Sequence, residues 1–193
     1  MEVDDPYNMY FTPDGASAIV VAEARKRLDF RDPHTMKMQY SINTPGCAGI
    51  NHADFSIDGT FAIFTCEFSG GLVKIDLVNR KVLGYLTLAK GGMPQDVRVS
   101  PDGKNFFVVS VIDFATRKVE VTWPIPGGGS PDMGNVSGDG KMLWLSGRYD
   151  NVVYAIDTTS GSVTKIPVGK EPHGLTVWPQ PGRYSLGHTG NMR

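Results

Sequence analysis

The sequence predicts an all-β chain, a β-propeller built from four-stranded antiparallel blades. Three observations lead there. Gly-ended turns recur at Pro13-Asp14-Gly15, Ile57-Asp58-Gly59, Pro101-Asp102-Gly103 and Gly138-Asp139-Gly140. An aspartate closes an apolar run once per unit, at Asp32, Asp76, Asp113 and Asp157, and 27 residues separate each of the first three from the next turn glycine. No stretch sustains a helical period, so almost no helix is expected. Repetition at ~40 residues marks a repeat architecture, and four short strands per unit with regular turns fit a propeller blade.

Unit two shows the elements in order. Its strands are expected at about residues 52–57, 61–67, 72–77 and 81–88. Phe61, Ile63, Leu72, Val73, Ile75, Val82, Leu83 and Leu86 supply the β-branched and apolar content. Asp-Gly offers the left-handed position that the first hairpin needs. Asn79-Arg80 in unit two and Ser160-Gly161 in unit four make the turn of the third hairpin. Phe11, Ile19, Phe55, Phe64, Val97, Phe107, Leu145, Tyr154 and Val177 are expected to pack between blades.

Unit three breaks the period. From turn glycine to closing aspartate there are 17 residues in units one, two and four, but 10 in unit three. Unit four places Ser146-Gly147-Arg148-Tyr149-Asp150-Asn151 between its second and third strands, whereas Phe106 to Asp113 runs on with no turn residue. An antiparallel pair needs a turn. The sequence therefore predicts a third blade lacking its middle hairpin, either as one long strand or as a tight improvised bend.

A fifth unit starts at Pro172-His173-Gly174, turns at Pro179-Gln180-Pro181-Gly182 and runs into Tyr184-Ser185-Leu186-Gly187-His188. The units are expected at about 6–48, 49–92, 93–129 and 130–170, with a half unit at 171–193. About four and a half blades predict an incomplete ring, a fragment or deleted form of a longer propeller. Exposed strand edges in such an arc invite self-association.

The 193 residues carry 19 basic and 20 acidic side chains, a net charge of −1, with no basic run. That argues against a nucleic-acid partner. No apolar stretch approaches the ~18 residues of a membrane span. The segment Met1-Glu2-Val3-Asp4-Asp5 lacks the apolar core of a signal peptide. A disulfide between Cys47 and Cys66 is geometrically conceivable, but a small buried thiol is the favoured reading of Cys66. Neither cysteine has metal-type spacing.

Unit four carries a specific resemblance. Leu143-Trp144-Leu145-Ser146, Val152-Val153-Tyr154-Ala155-Ile156-Asp157-Thr158, Ile166-Pro167-Val168-Gly169 and Pro172-His173-Gly174 follow one another. Ser110-Val111-Ile112-Asp113 repeats the middle portion. This pattern resembles the YVTN β-propeller repeat and is similar to the YncE-like proteins of the bacterial envelope. The resemblance implies the propeller fold and an extracytoplasmic place, in the periplasm or at the cell surface. Such propellers host binding, scaffolding and redox roles alike.

Alignment on the turn glycines puts Tyr7, Asn51, Gln95, Asp132 and His173 at equivalent positions, followed by Asn8, His52, Asp96, Met133 and Gly174. These positions are expected at the mouth of the central channel, where the innermost strand of each blade starts. His52, Gln95, Asp132, Arg148 and His173 are the candidate ligand-binding residues, with no catalytic or metal-binding set assigned.

Three chemistries are weighed there. His52 and His173, with His188 or Met133, offer imidazole and thioether donors suited to copper or haem iron. No ligand-spaced histidine pair supports them, so no cofactor is expected. Asp132, Arg148 and His173 approach the carboxylate, arginine and histidine set of lactonase-like propellers, although Asp132 is equally a turn cap. Arg25, Lys26, Arg27, Glu67, Phe68, Lys90, Arg148, Tyr149, Lys170 and Glu171 form a mixed-charge face of the kind that serves as an interaction surface or simply as a solvated loop face. The reading is a non-catalytic binding or scaffold module for a protein or small-molecule ligand, with a redox or hydrolytic propeller as the alternative.

Overall fold

The computed structural model describes residues 3–88, 92–113 and 115–178. Four four-stranded antiparallel sheets follow one another, each with its strands in sequence order. Blade 1 is β1 (Pro6–Phe11), β2 (Ala18–Ala22), β3 (Arg27–Arg31) and β4 (Met38–Asn43). Blade 2 is β5 (Ile50–Phe55), β6 (Phe61–Cys66), β7 (Gly71–Asp76) and β8 (Lys81–Thr87). Blade 3 is β9 (Arg98–Val99), β10 (Asn105–Phe107), β11 (Ser110–Asp113) and β12 (Val119–Thr122). Blade 4 is β13 (Pro131–Val136), β14 (Met142–Gly147), β15 (Val152–Asp157) and β16 (Val163–Pro167). Among the described residues the one helical element is a 3-10 turn, Glu67–Ser69. The fold is the expected propeller of four-stranded blades. Its described residues fall into two compact units, one ending at Val97 and one starting at Arg98, with two complete sheets in the first.

In the first unit, period-2 alternation turns one face of each blade to the other. Tyr10, Ile19, Val21, Leu28, Phe30 and Ile42 of blade 1 meet Ala53, Phe55, Phe64, Val73 and Ile75 of blade 2 in one buried cluster. Phe11 is a correction: it follows the inward Tyr10, so the pleat turns it the other way, and it is 38% exposed. In the second unit Phe107, Val111 and Trp123 pack with Val136, Leu143, Leu145, Tyr154 and Ile156. Val177 is only half-buried.

The turns repeat one piece of chemistry. The hydroxyls of Thr12, Ser56, Ser100 and Ser137 each donate to the aspartate two residues on, at 2.6 Å. At the third hairpin the backbone N–H groups of Thr35, Asn79, Thr116 and Ser160 donate to Asp32, Asp76, Asp113 and Asp157 at 2.6–2.8 Å. Both aspartate series are turn caps.

Blade 3 corrects the expectation of a missing middle hairpin and takes the other expected form, a tight bend. Its middle hairpin is present: Asn105, Phe106 and Phe107 pair with Asp113, Ile112 and Val111. The improvised bend is Val108-Val109, with Val109 at φ +59°. A β-branched residue rarely adopts that conformation. The seven-residue shortening is absorbed by strands of two to four residues in this blade.

Cys47 and Cys66 form a disulfide, with Cα atoms 4.9 Å apart. This corrects the buried-thiol reading of Cys66. The loop before β5 brings Cys47 against the end of β6, a proximity that the spacing of the two residues does not reveal.

Candidate functional site

The first cluster of candidate residues lies in the first unit, where β5 starts and β6 ends. A clamp builds it. The disulfide ties the loop before β5 to the last residue of β6. Glu67 and Phe68 then donate their N–H groups to the carbonyls of Gly49 and Ala48, at 2.9 and 3.0 Å. Ser69 Oγ accepts from Ala48 N at 3.0 Å. Gly49 adopts φ +67°, and a Cβ there would stand 2.7 Å from the Phe68 ring. Glycine is what allows the loop and the 3-10 turn to close on each other.

The clamp directs Glu67 inward. Its side chain was expected on an exposed interaction face, but the residue is 9% exposed. Asn51 Nδ2 donates to Glu67 Oε2 at 2.9 Å. Gln95 Nε2 donates to Glu67 Oε1. Thr65 Oγ1 donates to Asn51 Oδ1, which also accepts from His52 N at 2.6 Å. Gln95 and His52 thus enter one buried network with Asn51 and Thr65. Burial pushes the Glu23 carboxyl above its usual range, and the charges of Glu67 and Asp5 add to the effect. The region is therefore acidic.

His52 is 2% exposed. Asn8 Nδ2 donates to Tyr10 Oη at 2.7 Å and stands 3.3 Å from His52 Nδ1. An amide nitrogen is donor only, so this pairing assigns the lone pair to Nδ1 and the ring proton to Nε2. Tyr10 Oη also accepts from Ala53 N at 3.1 Å. The exposed Tyr7 ring meets the imidazole edge-on, with centroids 5.9 Å apart. The histidine is built into the wall.

The second cluster lies in the second unit. His173 Nε2 stands 3.5 Å from Asp132 Oδ2, with the histidine half-exposed and the aspartate buried. Ser146 Oγ donates to the Met133 carbonyl at 2.9 Å and accepts from Gly174 N at 3.1 Å. That hydroxyl holds the segment carrying His173 against the start of β13. Arg148 does not complete the predicted trio. Its guanidinium lies 5.5 Å from the ring centroid of Tyr149. Asp150, next along this loop, accepts from Ser130 N and Oγ at 2.7 Å and from the Tyr154 hydroxyl. Burial and the bond to Asp150 push the Tyr154 hydroxyl up to about 12.

The structure therefore links Gln95 to the backbone of His52 through Glu67 and Asn51, and brings Asp132 to His173. Asn8, expected beside His52 by register, does stand against it, whereas Tyr10, Thr65 and the inward role of Glu67 escaped the sequence reading. One usable signal was the position of Glu67, directly after a cysteine at the end of a second strand. Lys90 and His188 lie outside the described residues, as does the expected strand at 184–188. Among the described residues, no three His, Cys, Asp or Glu side chains converge as a metal-holding group. Among them, too, no helix is long and apolar enough to cross a membrane.

Residues 92–182 match the family described as YNCE-like beta-propeller. That segment, 92–182, resembles YNCE-like β-propeller sequence. No curated protein matches it in sequence. Several solved structures share the propeller fold of this chain. Hydrazine synthase of Kuenenia stuttgartiensis is similar at 21% identity with a TM-score of 0.75, over 90% of this chain and 52% of that one. A putative 6-phosphogluconolactonase from Bacteroides uniformis ATCC 8492 is similar at 20% identity and TM-score 0.64, over 86% and 56%. Virginiamycin B lyase from Staphylococcus aureus is similar at 16% identity and TM-score 0.70, over 90% and 60%. The chain thus spans about half to three-fifths of the length of these structures.

Proposed function

We propose that the chain is a non-catalytic binding or scaffold module of the bacterial cell envelope, taking a protein or small-molecule ligand where β5 starts in the first unit. The observation that carries this reading is the buried network of Asn51, His52, Thr65, Glu67 and Gln95. Fully hydrogen-bonded buried polar groups fix one geometry and cost stability when broken. A rigid polar wall suits recognition. The His52 ring is 2% exposed and engaged at Nδ1, which suits a wall residue better than a base that must meet water. The envelope assignment is supported by the YNCE-like sequence of residues 92–182 and by the disulfide, since disulfides persist in oxidising compartments. Self-association belongs to the same reading: the outer strands β12 and β16 are largely exposed, and size-exclusion chromatography with light scattering reads it directly.

One observation favours the hydrolytic alternative. Asp132 and His173 form the kind of pair that orients an imidazole as a base, and one similar structure is named as a putative lactonase. Metal analysis and a visible spectrum of the purified chain, with a lactone-hydrolysis assay, separate the readings. Binding alone predicts no stoichiometric copper or iron, no Soret band and no turnover. Hydrolysis that disappears in His173→Ala replaces the binding reading with the alternative.

A further inference from the structure

At the other end of the first unit, blades 1 and 2 enclose a groove of about 820 Å³ between the Asp14 and Asp58 turns and the turn of the third hairpin of blade 2. Three charged side chains line it: Asp14, Asp58 and Arg80. None of the three makes an ion pair with a described residue. Each of the three has its own local anchor instead.

The anchors are specific. Asp14 Oδ1 accepts from Thr12 Oγ1 at 2.6 Å and from Ala16 N at 3.0 Å. Asp58 Oδ1 accepts from Ser56 Oγ at 2.6 Å, Thr60 N at 3.0 Å and Thr60 Oγ1 at 2.8 Å. All of these bonds land on Oδ1, so Oδ2 of each carboxylate stays available. Arg80 is held by stacking instead. Its guanidinium sits 4.3 Å from the Tyr40 ring centroid, and Tyr40 stacks on the buried Phe30 at 4.3 Å and 13°. A cation over a ring face is held without a hydrogen-bond acceptor, so the guanidinium N–H groups remain available to an oxyanion. No N–H of Arg80 is spent on a described residue. Val78 and Ile57, 67% and 39% exposed, add apolar surface.

We propose that this groove binds a small zwitterion of the short-peptide type, with its ammonium at the Asp14 and Asp58 carboxylates and its carboxylate on the Arg80 fork. A simple anion meets two fixed carboxylates in the same groove, and a simple cation meets the guanidinium. A molecule carrying both charges on a short spacer satisfies all three. The groove is separate from the buried Glu67 network, so the two readings stand or fall independently.

The test is a ¹H–¹⁵N NMR titration of the full chain with triglycine, N-acetyltriglycine and triglycine amide. Triglycine is expected to give saturable shifts at Tyr40, Arg80 and the Asp14 turn. Blocking either terminus is expected to weaken binding at least about tenfold. Arg80→Gln and Asp14→Asn are expected to do the same, and Asn keeps the side-chain oxygen that caps the turn. The Arg80→Gln spectrum away from the groove reports that the fold is intact. No saturable shift with triglycine overturns the proposal. So does equal binding of the blocked peptides, or undiminished binding by either variant.

Discussion

Asn51 Nδ2 donates to Glu67 Oε2 at 2.9 Å, and this bond ties the start of β5 to the turn that leaves β6. With Gln95 on the other oxygen, the carboxylate is held by two amides. Glu67→Gln keeps the shape but turns one acceptor into a donor facing donors. A buried group left unsatisfied costs about 1–3 kcal/mol. Urea unfolding of Glu67→Gln is expected to show a loss in that range, and Gln95→Ala a smaller one, because Gln95 is less buried. An unchanged midpoint for Glu67→Gln would mean that the network does not form.

The disulfide closes the loop that carries Asn51 and His52, across 19 positions of sequence. Cross-linking a loop of this size stabilises the fold by about 3 kcal/mol. Cys47→Ala/Cys66→Ala is expected to lower the unfolding free energy by about that amount, and reductant to do the same to the wild type and nothing to the variant. Equal stability with and without reductant would contradict the bond.

Acid should act on the turns. Asp14, Asp58, Asp102 and Asp139 are held below the usual carboxylate range, first by their Ser or Thr hydroxyls. Asp32, Asp76 and Asp157 are held down first by backbone N–H groups, and Asp113 first by the Thr116 side chain. A carboxylate lowered on folding adds stability above its unfolded value, about 3.9, and loses it as pH falls through the folded value. The melting temperature is expected to hold from neutrality to about pH 4 and to fall below it. Replacing Asp14, Asp58, Asp102 and Asp139 by Asn should flatten that fall. At the alkaline end Tyr154 adds stability that is present below about 10 and lost as pH climbs towards about 12.

Val109 tests the shortened hairpin. Its φ of +59° strains a β-branched residue and suits glycine. Val109→Gly is expected to change stability by less than about 1 kcal/mol, relief of strain offsetting the lost packing. The same change at the buried Val111 should cost about 3 kcal/mol. Equal costs would show that the bend does not sit at Val108-Val109.

The blades were legible because their signals are local. Each turn needs a left-handed glycine and a capping aspartate, so Gly15, Gly59, Gly103 and Gly140 announce themselves in sequence. A tight bend between Phe106 and Asp113 was one of two legible alternatives, but its place at Val108-Val109 was not, since no turn chemistry marks it and only the pairing of Phe107 with Val111 imposes it. The site was legible in part. Asn51, Gln95, Asp132 and His173 follow from register against the turn glycines, but what each touches does not. Glu67 reads as a surface loop residue until the disulfide and Gly49 turn it inward. The face of β1 on which Phe11 stands is set by Tyr10, which the hydroxyl-to-Ala53 bond commits to the interior.

The most direct test of the binding reading follows ligands and their chemical fate in one experiment. Saturation-transfer NMR of the full chain with a fragment set that includes δ-valerolactone, recorded over time, reads binding and turnover together. The account predicts ligands that give transfer signals, lose them in Gln95→Ala and stay chemically unchanged. Conversion of the lactone that disappears in His173→Ala, or the absence of any ligand sensitive to Gln95→Ala, would contradict it.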